Sequence, residues 1–227
     1  GVQYRTGQAF DLAHITRAAH TAGALAGFDL AHSIGNLPLE LHAVGADFAA
    51  WCSYKYLNAG PGAIAGAFVH ERHADAPRLA GWWGHEAATR FRMSGEFVPA
   101  SGAAGWQISN PPILSAAPLA IALSLFREAG MAALRAKSQR LTAWLDYLLR
   151  RRCAGQVEII TPATRGCQLS LRLRPEQRAR AVFAALAPQG IVADWREPDI
   201  IRMAPVPLYN SYEDVWRAAQ ALAQACR

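Results

Sequence analysis

Asp29 ends the apolar run ALAGFD, and Lys55 follows 26 residues later, directly after the apolar run DFAAWCSY. A carboxylate and a primary amine, each presented at the carboxyl end of a buried strand, suit one chemistry in particular. The acid keeps a pyridine nitrogen protonated while the amine holds an aldehyde as a Schiff base, which is what pyridoxal phosphate requires of its protein. A lysine beside an apolar strand is partly desolvated, which favours its neutral, nucleophilic form. The sequel YLNAGPGAIAG is rich in small residues that permit close backbone approach, and it runs straight into another apolar stretch. His32, three residues after Asp29, can stand beside a cofactor ring if the loop turns back. Each residue also has a plainer reading: Asp29 as a turn former, His32 as a structural hydrogen-bonder, Lys55 as a surface lysine at a strand end. Their combination points to an enzyme.

The elements that must position these residues are legible as patterns. Phe10, Leu12, Ile15, Ala18 and Ala19 recur at helical spacing, and Gly23 stops the run, predicting a helix over 11–22. The continuous apolar runs 24–29, 48–53 and 63–69 are too short for core helices and do not alternate, as expected of parallel strands buried on both faces. Residues 70–112 are rich in Gly, Pro and Trp, an irregular segment of the kind that compact domains keep for sites or interfaces. Long helices are expected over 115–129 and 131–151, broken at Gly130. Strands at 157–161, 167–173, 191–195 and 200–204, with helices at 175–187 and 212–226, then make a small α+β domain. The expected fold class is thus α/β, with one domain over 1–114 and a second over 115–227.

Composition narrows the function classes. The chain has 227 residues, 52% of them hydrophobic, and a formal charge of +6. Part of that charge is Arg150-Arg151-Arg152 after the amphipathic run LTAWLDYLLR, where cations complement the end of a helix. No interleaving of aromatic and basic residues supports nucleic-acid binding, and no apolar stretch reaches the roughly 20 residues that cross a bilayer. No charged-then-apolar leader follows Gly1. Cys52, Cys153, Cys167 and Cys226 form no C-x-x-C pair, so neither a disulfide framework nor a zinc site is expected, and no other metal site either. HERH at 70–73 lacks the spacing of a zinc-protease motif and reads as a solvated turn. The expectation is a soluble, cytoplasmic protein.

The run FDLAHSIGNLPLELHAVGADFAAWCSYKYLNAGPGAIAGAFVHERH resembles kynureninase, a fold-type-I pyridoxal phosphate enzyme of tryptophan catabolism. GWWGHE, TRFRM, WQISNPPIL, RAKSQRLTAWLDYLL, RGCQLSL and IIRMAPVPLYNSYEDV are similar to successive segments of that family, so the resemblance covers essentially the whole chain. It implies that Lys55 is the Schiff-base lysine and Asp29 the partner of the pyridinium nitrogen, with His32 nearby. It implies further that Tyr54 reaches the cofactor phosphate and is a candidate proton donor. Trp82 and Asn110 would complete the phosphate and substrate surroundings, in an arrangement that can draw on the neighbouring subunit of a homodimer. Arg202 would grip the carboxylate of a kynurenine-type substrate, for which its planar fork is suited.

The implied reaction is hydrolysis of L-kynurenine, or its 3-hydroxy form, to an anthranilate and L-alanine. A fold-type-I subunit also supplies a small-residue turn that binds the cofactor phosphate and an aromatic residue that stacks on the ring. Neither is found before Asp29, and GVQYRTG reads as the tail of a strand. The expectation is therefore the carboxyl-terminal half of such an enzyme, with an amino-terminal segment missing or on a separate chain. Two alternatives stay open. One is a cysteine desulfurase or aminotransferase relative, although Cys153 and Cys167 lie in or beside regular elements and look unsuited to a mobile nucleophilic loop. The other is a non-catalytic fragment.

Overall fold

The computed structural model describes residues 1–227, which fall into two compact units. The first comprises Gly1, 11–34 and 39–125; the second comprises 2–10, 35–38 and 126–227. The helix that begins beside the boundary expected near residue 114 contributes its residues up to Leu125 to the first unit.

In the first unit, α1 (Leu12–Thr21) starts where the Asp11 side chain accepts a hydrogen bond from the His14 amide. It is followed by β1 (Gly27–Asp29), β2 (Phe48–Trp51) and β3 (Gly66–Val69), which form a sheet of order β1-β2-β3. β1 and β2 run parallel, as the apolar runs predict, but β3 returns antiparallel to β2. Nor are these strands buried on both faces: Phe48 is 50% exposed, and Gly27, Asp29 and Ala50 are also open to solvent. Apolar runs register composition, and a run reads the same whether or not anything covers it.

Two glycines let aromatic rings cross this sheet. Gly27 faces Phe48 in register, and a Cβ on Gly27 would lie 2.2 Å from the Phe48 ring; Gly66 faces Trp51, whose indole would lie 2.5 Å from a Cβ there. Asp47, just before β2, joins the pieces. Its buried carboxylate accepts from the Ala26 amide at 2.7 Å and meets His20 Nε2 of α1 and His73 Nε2, each at 2.8 Å. Arg72 Nη1 lies 3.5 Å away. Burial alone would raise the Asp47 pKa. The Ala26 amide and the two histidines more than reverse this and hold it well below the usual carboxylate range. The segment HERH is a turn, but it is not simply solvated, because His73 closes onto a buried acid that sequence spacing does not reveal.

Residues 70–112 hold no helix beyond 3-10 turns and no named strand. Then come α2 (Ile113–Ala129) and α3 (Met131–Arg152), separated by Gly130, whose φ of +75° suits glycine. Arg150, Arg151 and Arg152 occupy the last turn of α3, where Arg150 pairs with Asp146 at 2.8 Å. No single helix is long and apolar enough to cross a membrane.

The second unit is built on β4 (Val157–Ile159), β5 (Leu169–Leu173), β6 (Asp194–Arg196) and β7 (Ile200–Met203), a wholly antiparallel sheet of order β4-β5-β7-β6. α4 (Glu176–Ala184) and α5 (Tyr212–Ala225) complete it, and a Ser211–Asp214 capping box starts α5. Leu141, Leu145 and Leu149 of α3 pack with Leu169, Leu171, Ile201, Ala219 and Leu222 in one continuous core. The strand expected at 191–195 forms three residues later, because pairing with β7 begins only at Asp194. GVQYRTG is not a strand tail. It makes a turn closed by a single bridge between Val2 and Ala9, and its backbone is held by side chains of the β5 region: Gln168 donates to the Tyr4 carbonyl at 3.1 Å and Ser170 to that of Arg5.

Candidate active site

Asp29 is the last residue of β1, and its Oδ1 accepts a hydrogen bond from the Ala31 amide at 2.8 Å. The plainer reading of Asp29 as a turn former is therefore also true, and it serves the site by turning the chain immediately after the strand. That turn brings His32 back: its Nε2 lies 3.2 Å from Lys55 Nζ, within hydrogen-bond distance. His32 also meets Tyr56 edge to face, with ring centroids 6.0 Å apart.

The loop carrying Lys55 is pinned at both ends. The Asn58 amide donates to the Lys55 carbonyl at 3.0 Å, with Asn58 in the left-handed region, and buried Ser53 donates to the Ile64 carbonyl at 2.5 Å. Lys55 is half-buried, and its ammonium lies 5.9 Å from the centre of the Tyr54 ring. Tyr54 is exposed, and the neighbouring Cys52 thiol raises the phenol's pKa above the ordinary value. Asp29, Tyr54 and Lys55 share one open concavity of about 590 Å³, walled by Phe48, Trp51 and Gly66. An acid and an amine on one apolar-walled concavity form a donor set that fits a flat aromatic aldehyde with a basic ring nitrogen.

Not every expected residue joins this group. Trp82 lies in a separate concavity of about 310 Å³ with His85, Thr89 and Arg90, and its ring meets Phe91 edge to face. Asn110 is exposed and accepts from the Ser109 hydroxyl at 3.3 Å. Neither lines the concavity of Lys55. Arg202, in the second unit, has a side chain only 10% exposed; its Nε donates to Asp194 Oδ2 at 2.6 Å and its Nη1 to the Tyr4 carbonyl. Asp194 went unnoticed in the sequence, although the alternation of strand and turn from 191 to 204 allows a cross-strand partner for an arginine in an apolar run.

The fold defines the class first. A cysteine desulfurase, CsdA, from Escherichia coli superposes with a TM-score of 0.80 at 20% identity, covering 99% of this chain and 57% of that one. The cystine C–S lyase C-DES, in complex with cysteine persulfide, gives 0.79 at 23%, covering 97% and 58%. This is the fold-type-I architecture: the carboxyl-terminal part of a large domain followed by a small α+β domain. Residues 134–222 match the family model of the kynureninase C-terminal domain. Kynureninases of Xanthomonas euvesicatoria pv. vesicatoria and Stenotrophomonas maltophilia are 62% and 64% identical to it, each over 95% of this chain and 52% of the relative. By these matches the chain is similar to kynureninases, with residues 134–222 in the place of their C-terminal domain. It spans about half the length of the curated relatives it matches.

Proposed function

We propose that this chain is the carboxyl-terminal half of a pyridoxal-phosphate-dependent kynureninase, a hydrolase that cleaves L-kynurenine, or 3-hydroxykynurenine, to the corresponding anthranilate and L-alanine. The observation that carries the reading is the shared concavity of Asp29 and Lys55, with His32 3.2 Å from the lysine amine. Identity above 60% to proteins named kynureninase supports the same substrate class.

Bound pyridoxal phosphate supplies the electron sink that cleavage of a carbon–carbon bond beside a ketone needs. Asp29 would hold the proton on the ring nitrogen, and Lys55 would hold the aldehyde and then carry the substrate's α proton. His32, within hydrogen-bond distance of the amine, would orient it. Tyr54, next to Lys55 on the same concavity, is placed to hold a phosphate oxygen or to donate its phenolic proton. Arg202, nearly buried and fixed on β7, recognises the substrate carboxylate.

The reading includes a homodimer. Its support is that Trp82 and Asn110 are exposed and stand outside the concavity of Lys55, where a neighbouring subunit could use them. It also includes a place in tryptophan catabolism, leading toward NAD biosynthesis, and a cytoplasmic setting, which four free cysteines suit. The desulfurase alternative has less support, since Cys153 caps α3 in the core and its Cys226 neighbour, together with burial, pushes its thiol pKa far up. The test is direct: supply the complete enzyme with pyridoxal phosphate and L-kynurenine, and follow anthranilate by fluorescence and L-alanine by chromatography. Equimolar products are expected, and a folded, cofactor-loaded enzyme that leaves kynurenine intact would overturn the assignment.

A further inference from the structure

Resting on the assignment of Arg202 to the substrate carboxylate, we propose that Asp194 is a positioning residue for that recognition, fixing the guanidinium by holding its Nε. The two residues face each other in register on the antiparallel pair β6 and β7. Nε donates to Asp194 Oδ2 at 2.6 Å, a short charge-assisted bond. The Tyr4 carbonyl takes Nη1, so Nη2 is left for an incoming anion.

Burial gives Asp194 its purpose. The Arg202 side chain is 10% exposed, and a guanidinium so far from water needs an anion before any substrate arrives. Asp194, 45% exposed, meets that need from the wetter side. Arg196 Nε lies 3.2 Å from the same carboxylate oxygen and balances part of its charge, so Asp194 can orient Arg202 without cancelling its attraction for a second carboxylate. With two of its three nitrogens held, the arginine loses little further freedom on binding substrate.

The test uses the complete, cofactor-loaded enzyme with the variants Asp194→Ala, Asp194→Asn, Arg202→Ala and the double Asp194→Ala/Arg202→Ala. Asp194→Ala should raise KM for kynurenine about tenfold with kcat within about twofold, and the cofactor absorbance should be unchanged. Asp194→Asn, which keeps an acceptor for Nε, should recover part of that loss. Because Asp194 acts through Arg202, the double variant should be no worse than Arg202→Ala alone.

Binding of L-alanine, titrated through the cofactor spectrum, should weaken by the same factor. Binding of kynuramine, which lacks the carboxylate, should not change. Additive losses in the double variant, equal weakening of both ligands, or a wild-type KM for Asp194→Ala while Arg202→Ala is impaired would each overturn the role of Asp194. If Arg202→Ala itself binds L-alanine normally, the assignment of Arg202 fails and this inference falls with it.

Discussion

At the scale of single residues, the account turns on a lysine whose amine is met by a histidine 23 positions earlier in the chain. Both could be marked in the sequence because each follows an apolar run, yet their contact depends on the Asp29 turn, which needs coordinates to see. Replacing Asp29 with alanine would remove the proposed ring-nitrogen partner and also free the Ala31 amide. Turnover should fall by orders of magnitude while the protein stays folded, and near-normal steady-state activity of Asp29→Ala would show that the ring partner lies elsewhere. Arg202→Ala should leave the cofactor spectrum intact and cost on the order of 1.5–3 kcal/mol, or roughly 10- to 150-fold in kcat/KM. Arg202→Lys should recover only part of this, since an ammonium cannot engage Asp194 and Tyr4 as the fork does. Kinetics on the two variants beside a cofactor titration check both points.

At the scale of elements, the apolar runs located all three strands of the first unit, and helical periodicity located α1, α3 and α5 to within a residue or two. What they could not show is direction or cover. An antiparallel β3 and an exposed Phe48 leave no mark on a run of Ala, Phe and Val. The Asp47 junction was hidden for a related reason, because its histidine partners stand 27 positions before and 26 after it.

That junction makes a pH prediction. A carboxylate whose folded pKa is depressed stabilises the fold above its unfolded pKa of about 4, and this contribution is lost as pH falls below that value toward the folded pKa. The thermal stability of the complete enzyme should therefore fall below about pH 4, and more steeply than that of Asp47→Asn. At neutral pH Asp47→Ala should cost about 2–4 kcal/mol, because it strands the buried Ala26 amide and removes the partner of His20, His73 and Arg72. Denaturant titration measures it, and a loss under half a kcal/mol would show that the junction contributes little.

At the scale of the whole molecule, the long matched segments carried more than any local pattern. Asp29 and Lys55 alone suggest a cofactor, whereas the full series of segments resembles one family, and identity above 60% to kynureninases agrees with that resemblance. Trp82 and Asn110 mark where that legibility stops. Sequence likeness nominates them, but neither lines the concavity of Lys55.

The central claim is that Lys55 is the residue to which the cofactor is attached. The complete enzyme, loaded with pyridoxal phosphate, is reduced with borohydride, digested and mapped by mass spectrometry. The account predicts one pyridoxyl-phosphate adduct, on the peptide containing Tyr54 and Lys55, at near-stoichiometric yield and absent from Lys55→Ala. An adduct on Lys137, the other lysine of this chain, or on a lysine outside it, with Lys55 unmodified, would contradict it.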